Sequence, residues 1–162
     1  MSADDIRAIE TLKYRYLRAV DTKDWAGLEA TLTADVRTDY GSQFGGQPLT
    51  FPDRASVLAY FRKAMGGTLV SEHHVGHPII EIDAADPTVA TGSWYLQDRV
   101  IVPDHDVMII GAAFYEDTYR KTDDGWRISS TGYQRTFEAT SKLSATGFHL
   151  TRGAALPEPG TV

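Results

Sequence analysis

The chain has 162 residues, no cysteine and a formal charge of −6 at neutral pH. This composition excludes disulfides, thiolate metal sites and cysteine nucleophiles, and the acidic balance argues against a nucleic-acid partner, which calls for basic faces. A hydrophobic fraction of 42% suffices for one core. No apolar run reaches the roughly 20 residues of a membrane span, and the opening MSADDIRAIE lacks the basic and apolar regions of a secretion signal, so no membrane partner and a cytoplasmic location are expected.

The first segment reads as a helix: Ile9, Leu12, Tyr16, Ala19 and Val20 recur at helical spacing, and Asp4, Asp5, Arg7, Lys13 and Arg18 take the other faces. Ser2 or Asp4 suits its start, where acidic side chains favour the dipole. A second helix is expected over about 23–32, with Asp21-Thr22 as its cap, and a short strand over 36–40. The Gly/Pro-rich stretch GSQFGGQPLTFPD reads as a loop, after which Asp53 caps a third helix carrying Val57, Leu58, Phe61 and Met65.

From Thr68 the pattern turns to strands, with long candidates at about 69–83, 88–102, 106–121 and 125–138. Asp86-Pro87, Pro103 to Asp106 and Asp123 to Gly125 punctuate the joins, which are short enough for an antiparallel meander. The expected fold is α+β: a cone-shaped, strongly curved, mostly antiparallel sheet with N-terminal helices enclosing a cavity. One domain over 1–155 and a tail over 156–162 are expected.

The polar residues of interest are those on apolar faces. Asp98 shares its strand face with Trp94, Leu96 and Val100, so it needs a partner, a proton or a wet opening, unless the register slips and it faces solvent. His73 is grouped with Val75 and Ile79, and His74 with Ile80 and Ile82. Three histidines within five positions, His73, His74 and His77, suggest a metal site, but the first two face opposite sides of a strand, so none is expected. Tyr16 lies on the apolar stripe of the first helix and, if buried, needs a hydroxyl partner. Asp21, five residues on, lies about 140° around an ideal helix, which suits a helix cap as well as a site. Tyr40 shares a face with Val36 and Thr38, and Arg135 one with Tyr133 and Phe137. Neither a phosphate-binding glycine loop nor a Gly-x-Ser-x-Gly elbow is present.

The run Val20-Asp21-Thr22-Lys23-Asp24-Trp25 resembles the first-helix exit of SnoaL-like proteins in the nuclear-transport-factor-two-like superfamily. Arg37 to Tyr40 and Ser71 to Gly76 are similar to the tyrosine- and histidine-bearing strands of scytalone dehydratases, and Tyr115 to Arg120 with Asp124-Gly125-Trp126 to the superfamily's last hairpin. The ordered set Tyr16, Asp21, Tyr40, His73, Asp98, Arg135 resembles that of bacterial bile-acid dehydratases. The scytalone pattern has a tyrosine where Val20 stands and a second histidine where Asp98 stands.

The resemblance implies an Asp21–His73 dyad with Tyr16, Tyr40 and Asp98 as further catalytic residues, and Arg135, Trp94, Tyr115 and Phe137 as substrate-binding ones. It implies a cofactor-independent lyase, a dehydratase of a cyclic, polyketide- or steroid-like hydroxy-carbonyl compound. An isomerase, a dehydrohalogenase and a non-catalytic binder remain alternatives. The resemblance also implies a homodimer or homotrimer built on the outer sheet face, for which Tyr119 and Trp126 are candidates, and a lid formed by Thr146 to Arg152.

Overall fold

A computed structural model describes residues 3–42 and 46–151. The expected tail and the end of the expected lid, Arg152, lie outside the described residues, as does Ser2.

Helix α1, Ala3–Thr22, turns Ile9, Leu12, Tyr16, Leu17 and Val20 into the core. Lys13, grouped by its charge with the solvent-facing residues, is fully buried, at 0% exposure. It follows Ile9 by four residues and precedes Tyr16 by three, so its stem continues the apolar stripe.

Helix α2, Trp25–Thr31, is capped by Asp24, which accepts the Gly27 N–H at 2.8 Å. The expected cap, Asp21-Thr22, is instead the last turn of α1, and Lys23, in the left-handed region at φ 59°, turns the chain between the helices. Asp21 is thereby free for another partner.

Strand β1 spans Leu32–Ser42, longer than expected, and the stretch read as a loop contains β2, Pro48–Phe51. Asp53 caps α3, Arg54–Ala64, by accepting the Ser56 N–H at 2.8 Å, as expected.

The four long strands are β3, Val70–Ile82, β4, Val89–Val102, β5, Val107–Thr122, and β6, Gly125–Lys142, followed by a short helix α4, Leu143–Thr146. They form the expected antiparallel meander; β1 joins β6 in parallel, and the sheet order is β2-β1-β6-β5-β4-β3.

Register shifts bend this sheet. Each extra residue also reverses which side chains face inward. In β3 the shift lies between Gly76 and Ile79, where His77 takes φ 50° ahead of Pro78. His73 and Val75 face the helices before it, Ile80 and Ile82 after it, and Ile79 is 66% exposed. The expected groupings of His73 with Ile79, and of His74 with Ile80 and Ile82, are corrected accordingly. A second shift, opposite Ala112 and Ala113, separates Arg135 from Phe137 and turns Phe137 outward.

The core fills the space between the concave face and the helices. Trp94, Leu96, Tyr115, Tyr119, Trp126 and Ile128 pack there against α1, α2 and α3. Tyr119 and Trp126 are therefore buried rather than on the outer face, which instead exposes Ile79, Phe114 and Phe137. None of the described helices is long and apolar enough to cross a membrane.

Candidate active site

The last turn of α1 lies against β3 and delivers Asp21 to three donors. Its Oδ2 accepts the His73 backbone N–H at 2.9 Å. Its Oδ1 accepts His73 Nδ1–H at 2.6 Å and the Ser71 hydroxyl at 2.7 Å. Burial by itself raises the Asp21 pKa, but the hydrogen bonds from His73 and Ser71, with the imidazole's charge, outweigh it and hold the carboxyl below its ordinary value. An ionised Asp21 only accepts, so in the neutral imidazole Nδ1 carries the proton and Nε2 the lone pair.

The sheet register builds the rest of the wall. His73 pairs with Asp98, Asp98 with Gly111, and Gly111 with Glu138. The missing side chain at Gly111 leaves room for Arg135, since a Cβ there would stand 2.5 Å from Arg135 Nη1. Arg135 grips Asp98 with two parallel bonds, Nη1 to Oδ1 at 2.5 Å and Nη2 to Oδ2 at 2.7 Å. Its Nε lies 3.4 Å from Glu138. Burial alone lowers the guanidinium pKa, and the Asp98 carboxylate reverses this and raises it. The two parallel bonds give each Asp98 oxygen a charged donor.

On the helix side, the Tyr16 and Tyr40 hydroxyls are 2.5 Å apart. Burial raises the pKa of both, so they remain phenols. One donates to the other, which leaves one proton for a third partner.

These groups line a cavity of about 930 Å³, bounded by Tyr16, Tyr40, His73, Asp98, Tyr115 and Arg135 and closed by apolar groups such as Phe61, Met65, Leu69 and Ile109. Seven of the nine proposed residues thus meet around one space or bond directly into it; Asp21 stands behind His73. Trp94 and Phe137 do not line it. Trp94 is wholly buried and donates its indole N–H to the Tyr119 hydroxyl at 2.8 Å, and Phe137 is 53% exposed because of the β6 shift.

Sequence reasoning missed Ser71, Tyr133, Glu138, His105 and Lys13. Ser71 had an available signal, since it precedes His73 by two and shares its strand face. Glu138 had none, because a regular alternation from Arg135 directs it away. Among the described residues, no group of three or more His, Asp or Glu side chains is placed to hold a metal ion.

The SnoaL-like domain family matches residues 1–132. An uncharacterized protein of Mycobacterium tuberculosis is 24% identical over 120 residues, which cover 74% of this chain and 78% of that one. The solved structure of a protein from Novosphingobium aromaticivorans, provisionally assigned as a scytalone dehydratase, superposes with a TM-score of 0.71 at 19% identity, covering 94% of this chain and 93% of that one. Hexachlorocyclohexane dehydrochlorinase LinA-type3 from Novosphingobium barchaimii superposes with a TM-score of 0.69 at 16% identity, covering 83% of this chain and 88% of that one. At such identities the likeness establishes the shared fold.

Proposed function

The chain belongs to the SnoaL-like domain family, and we propose that it is a cofactor-independent lyase that eliminates water from a neutral, cyclic hydroxy-carbonyl compound. The observation that carries this reading is His73, oriented by Asp21 at 2.6 Å on the wall of the cavity of about 930 Å³.

His73 Nε2 takes the proton on the carbon next to the substrate carbonyl. The electrons of that C–H bond form the new double bond as the β C–O bond breaks. The imidazolium returns the proton to the departing hydroxyl, which leaves as water. Asp21 stabilises the imidazolium while it exists and fixes the ring that forms it. The free proton of the Tyr16–Tyr40 couple bonds the carbonyl oxygen as negative charge builds there.

Asp98, held by Arg135, acts in this scheme as an acceptor for a substrate hydroxyl rather than as the acid. Arg135 is matched by Asp98 and Glu138, which favours a neutral ligand over an anionic one. Aromatic and aliphatic lining supports a ring system as the bulk of the substrate.

The test is a panel of cyclic hydroxy-ketones assayed with the wild type and His73→Ala. Turnover is expected to fall by about 10²–10⁴, as for loss of a well-placed base, with fold and ligand affinity retained. Retained turnover removes His73 as the base. Solvent deuterium entering an isomer of otherwise unchanged composition, or release of halide from a halogenated analogue without water loss, replaces dehydration by isomerisation or dehydrohalogenation.

A further inference from the structure

The mechanism above leaves one buried ion pair without a task. Lys13 Nζ lies 2.7 Å from Asp117 Oδ2, and both side chains are 0% exposed. Burying two charges carries a desolvation penalty of several kcal/mol per ion, and apolar residues of similar volume commonly serve stability as well. The pair is also asymmetric. Asp117 is tied further by two hydroxyls, Tyr119 donating to the same Oδ2 and Thr131 to Oδ1, each at 2.6 Å. Lys13 has no hydrogen-bonding partner of good geometry for Nζ among the described residues. It lies instead 3.4 Å from the centre of the Tyr115 ring and 5.1 Å from that of Tyr16. Both rings line the cavity, and Lys13 does not.

We infer that the Lys13–Asp117 pair is a fixed dipole behind the cavity wall, its positive end set against Tyr115 and Tyr16 to stabilise negative charge on a ligand oxygen bound by those phenols. A cation on the face of a phenol draws density from the ring and makes its hydroxyl a stronger donor. In a dry interior, such a pre-oriented charge acts with little screening and no reorganisation. Burial lowers the Lys13 pKa and Asp117 opposes that change; the 2.7 Å contact with the carboxylate is what favours the ammonium form there. Lys13 is thus a positioning residue: it touches no substrate and works through Tyr115 and Tyr16. The role rests on the cavity being a place where an oxygen becomes negative, as in the proposed elimination, but it does not require turnover.

The probe is 2-naphthol, whose neutral and ionised forms differ in fluorescence. Bound to the wild type, it is expected to ionise at a lower pH than when free. In Lys13→Met/Asp117→Asn, which removes both charges together and keeps a polar partner for Tyr119 and Thr131, the bound naphthol is expected to ionise about one pH unit higher than in the wild type, a tenfold change. A merely structural pair leaves that pH unmoved. A folded double variant with wild-type naphthol ionisation overturns the inference, and so does wild-type protein that binds no naphthol or ionises it no more readily than water does.

Should the double variant not fold, the ¹⁵N resonance of Lys13 Nζ in the wild type decides. It is expected to shift on adding 2-naphthol above its bound ionisation pH and not on adding naphthalene; an identical response to both overturns the inference. A wild type inactive on every hydroxy-ketone but with the shifted naphthol ionisation removes the lyase reading and leaves this one standing. Turnover with unmoved ionisation does the reverse.

Discussion

His73 and Asp98 stand directly opposite one another across β3 and β4, as partners in the antiparallel register. Opposed residues point to the same face of a sheet, so an imidazole and a carboxylate share one cavity wall. Each is held by a different residue, His73 by Asp21 and Asp98 by Arg135, and this division separates their roles.

Removing Arg135 strands the Asp98 carboxylate, whose side chain is only 4% exposed. Arg135→Met is expected to lower stability to urea by about 3–5 kcal/mol, the usual penalty for unpairing a buried charge. Arg135→Met/Asp98→Leu should recover most of that loss. A double variant no more stable than the single one would show that the pair is not a closed electrostatic unit.

Gly111→Ala perturbs the same pair without replacing either partner. Its Cβ would meet Arg135 Nη1 at 2.5 Å and the Phe137 carbonyl oxygen at 3.0 Å. The guanidinium has to move, and an overpacking loss of about 1–3 kcal/mol is expected. A crystal structure of the variant should show the bidentate contact broken.

All three groups bonded to Asp21 are donors. Asp21→Asn therefore either sets its NH₂ against the His73 backbone N–H, at a cost of about 1–3 kcal/mol, or forces the imidazole out of the tautomer that carries the proton on Nδ1. Under the proposed mechanism kcat falls more than KM rises, because the substrate itself does not touch Asp21. Equal losses in the two constants would argue for a purely structural carboxylate.

Protonation of Asp21 produces the same conflict. Its folded pKa lies below the unfolded value, so the unfolded chain takes up the proton first. The stability it contributes is complete above about pH 4 and is lost as the pH falls through the folded value. Thermal unfolding of the wild type and Asp21→Ala should therefore converge below about pH 4. A constant gap between the two melting temperatures down to low pH would exclude this linkage.

Asp24 caps α2, so Asp24→Ala is expected to lower stability by about 0.5–2 kcal/mol and leave turnover and the His73 environment unchanged. Asp21→Ala should do the opposite, preserving α2 while changing the His73 ring resonances. Loss of α2 in Asp21→Ala would restore the cap reading of that residue.

Much of this molecule is legible in the residue pattern. Period-3.6 stripes in α1 and α3, the Asp53 cap, and the turn residues between the long strands are local signals, and local chemistry fulfils them. The order of elements then leaves few ways to bury both apolar faces, which is why the curved sheet with helices on its concave side follows. The set Tyr16, Asp21, Tyr40, His73, Asp98 and Arg135 was singled out only by its resemblance to an ordered family set, since spacing alone suits a helix cap for Asp21, and the fold gathers these residues at one cavity, with Asp21 bonded to His73 from behind.

Only the tertiary structure decided which faces survive along a strand and which polar groups meet. The shifts in β3 and opposite Ala112 and Ala113 each insert one residue into a two-residue alternation, which sends Ile79 and Phe137 outward and Glu138 inward. Periodicity cannot anticipate them, because a bulge is a property of two paired strands and not of one. Lys13 escaped for a related reason. Charge marks a residue as exposed unless a partner compensates it, and its partner Asp117 lies 104 positions away (117 − 13) on a strand that only folding brings to within 2.7 Å.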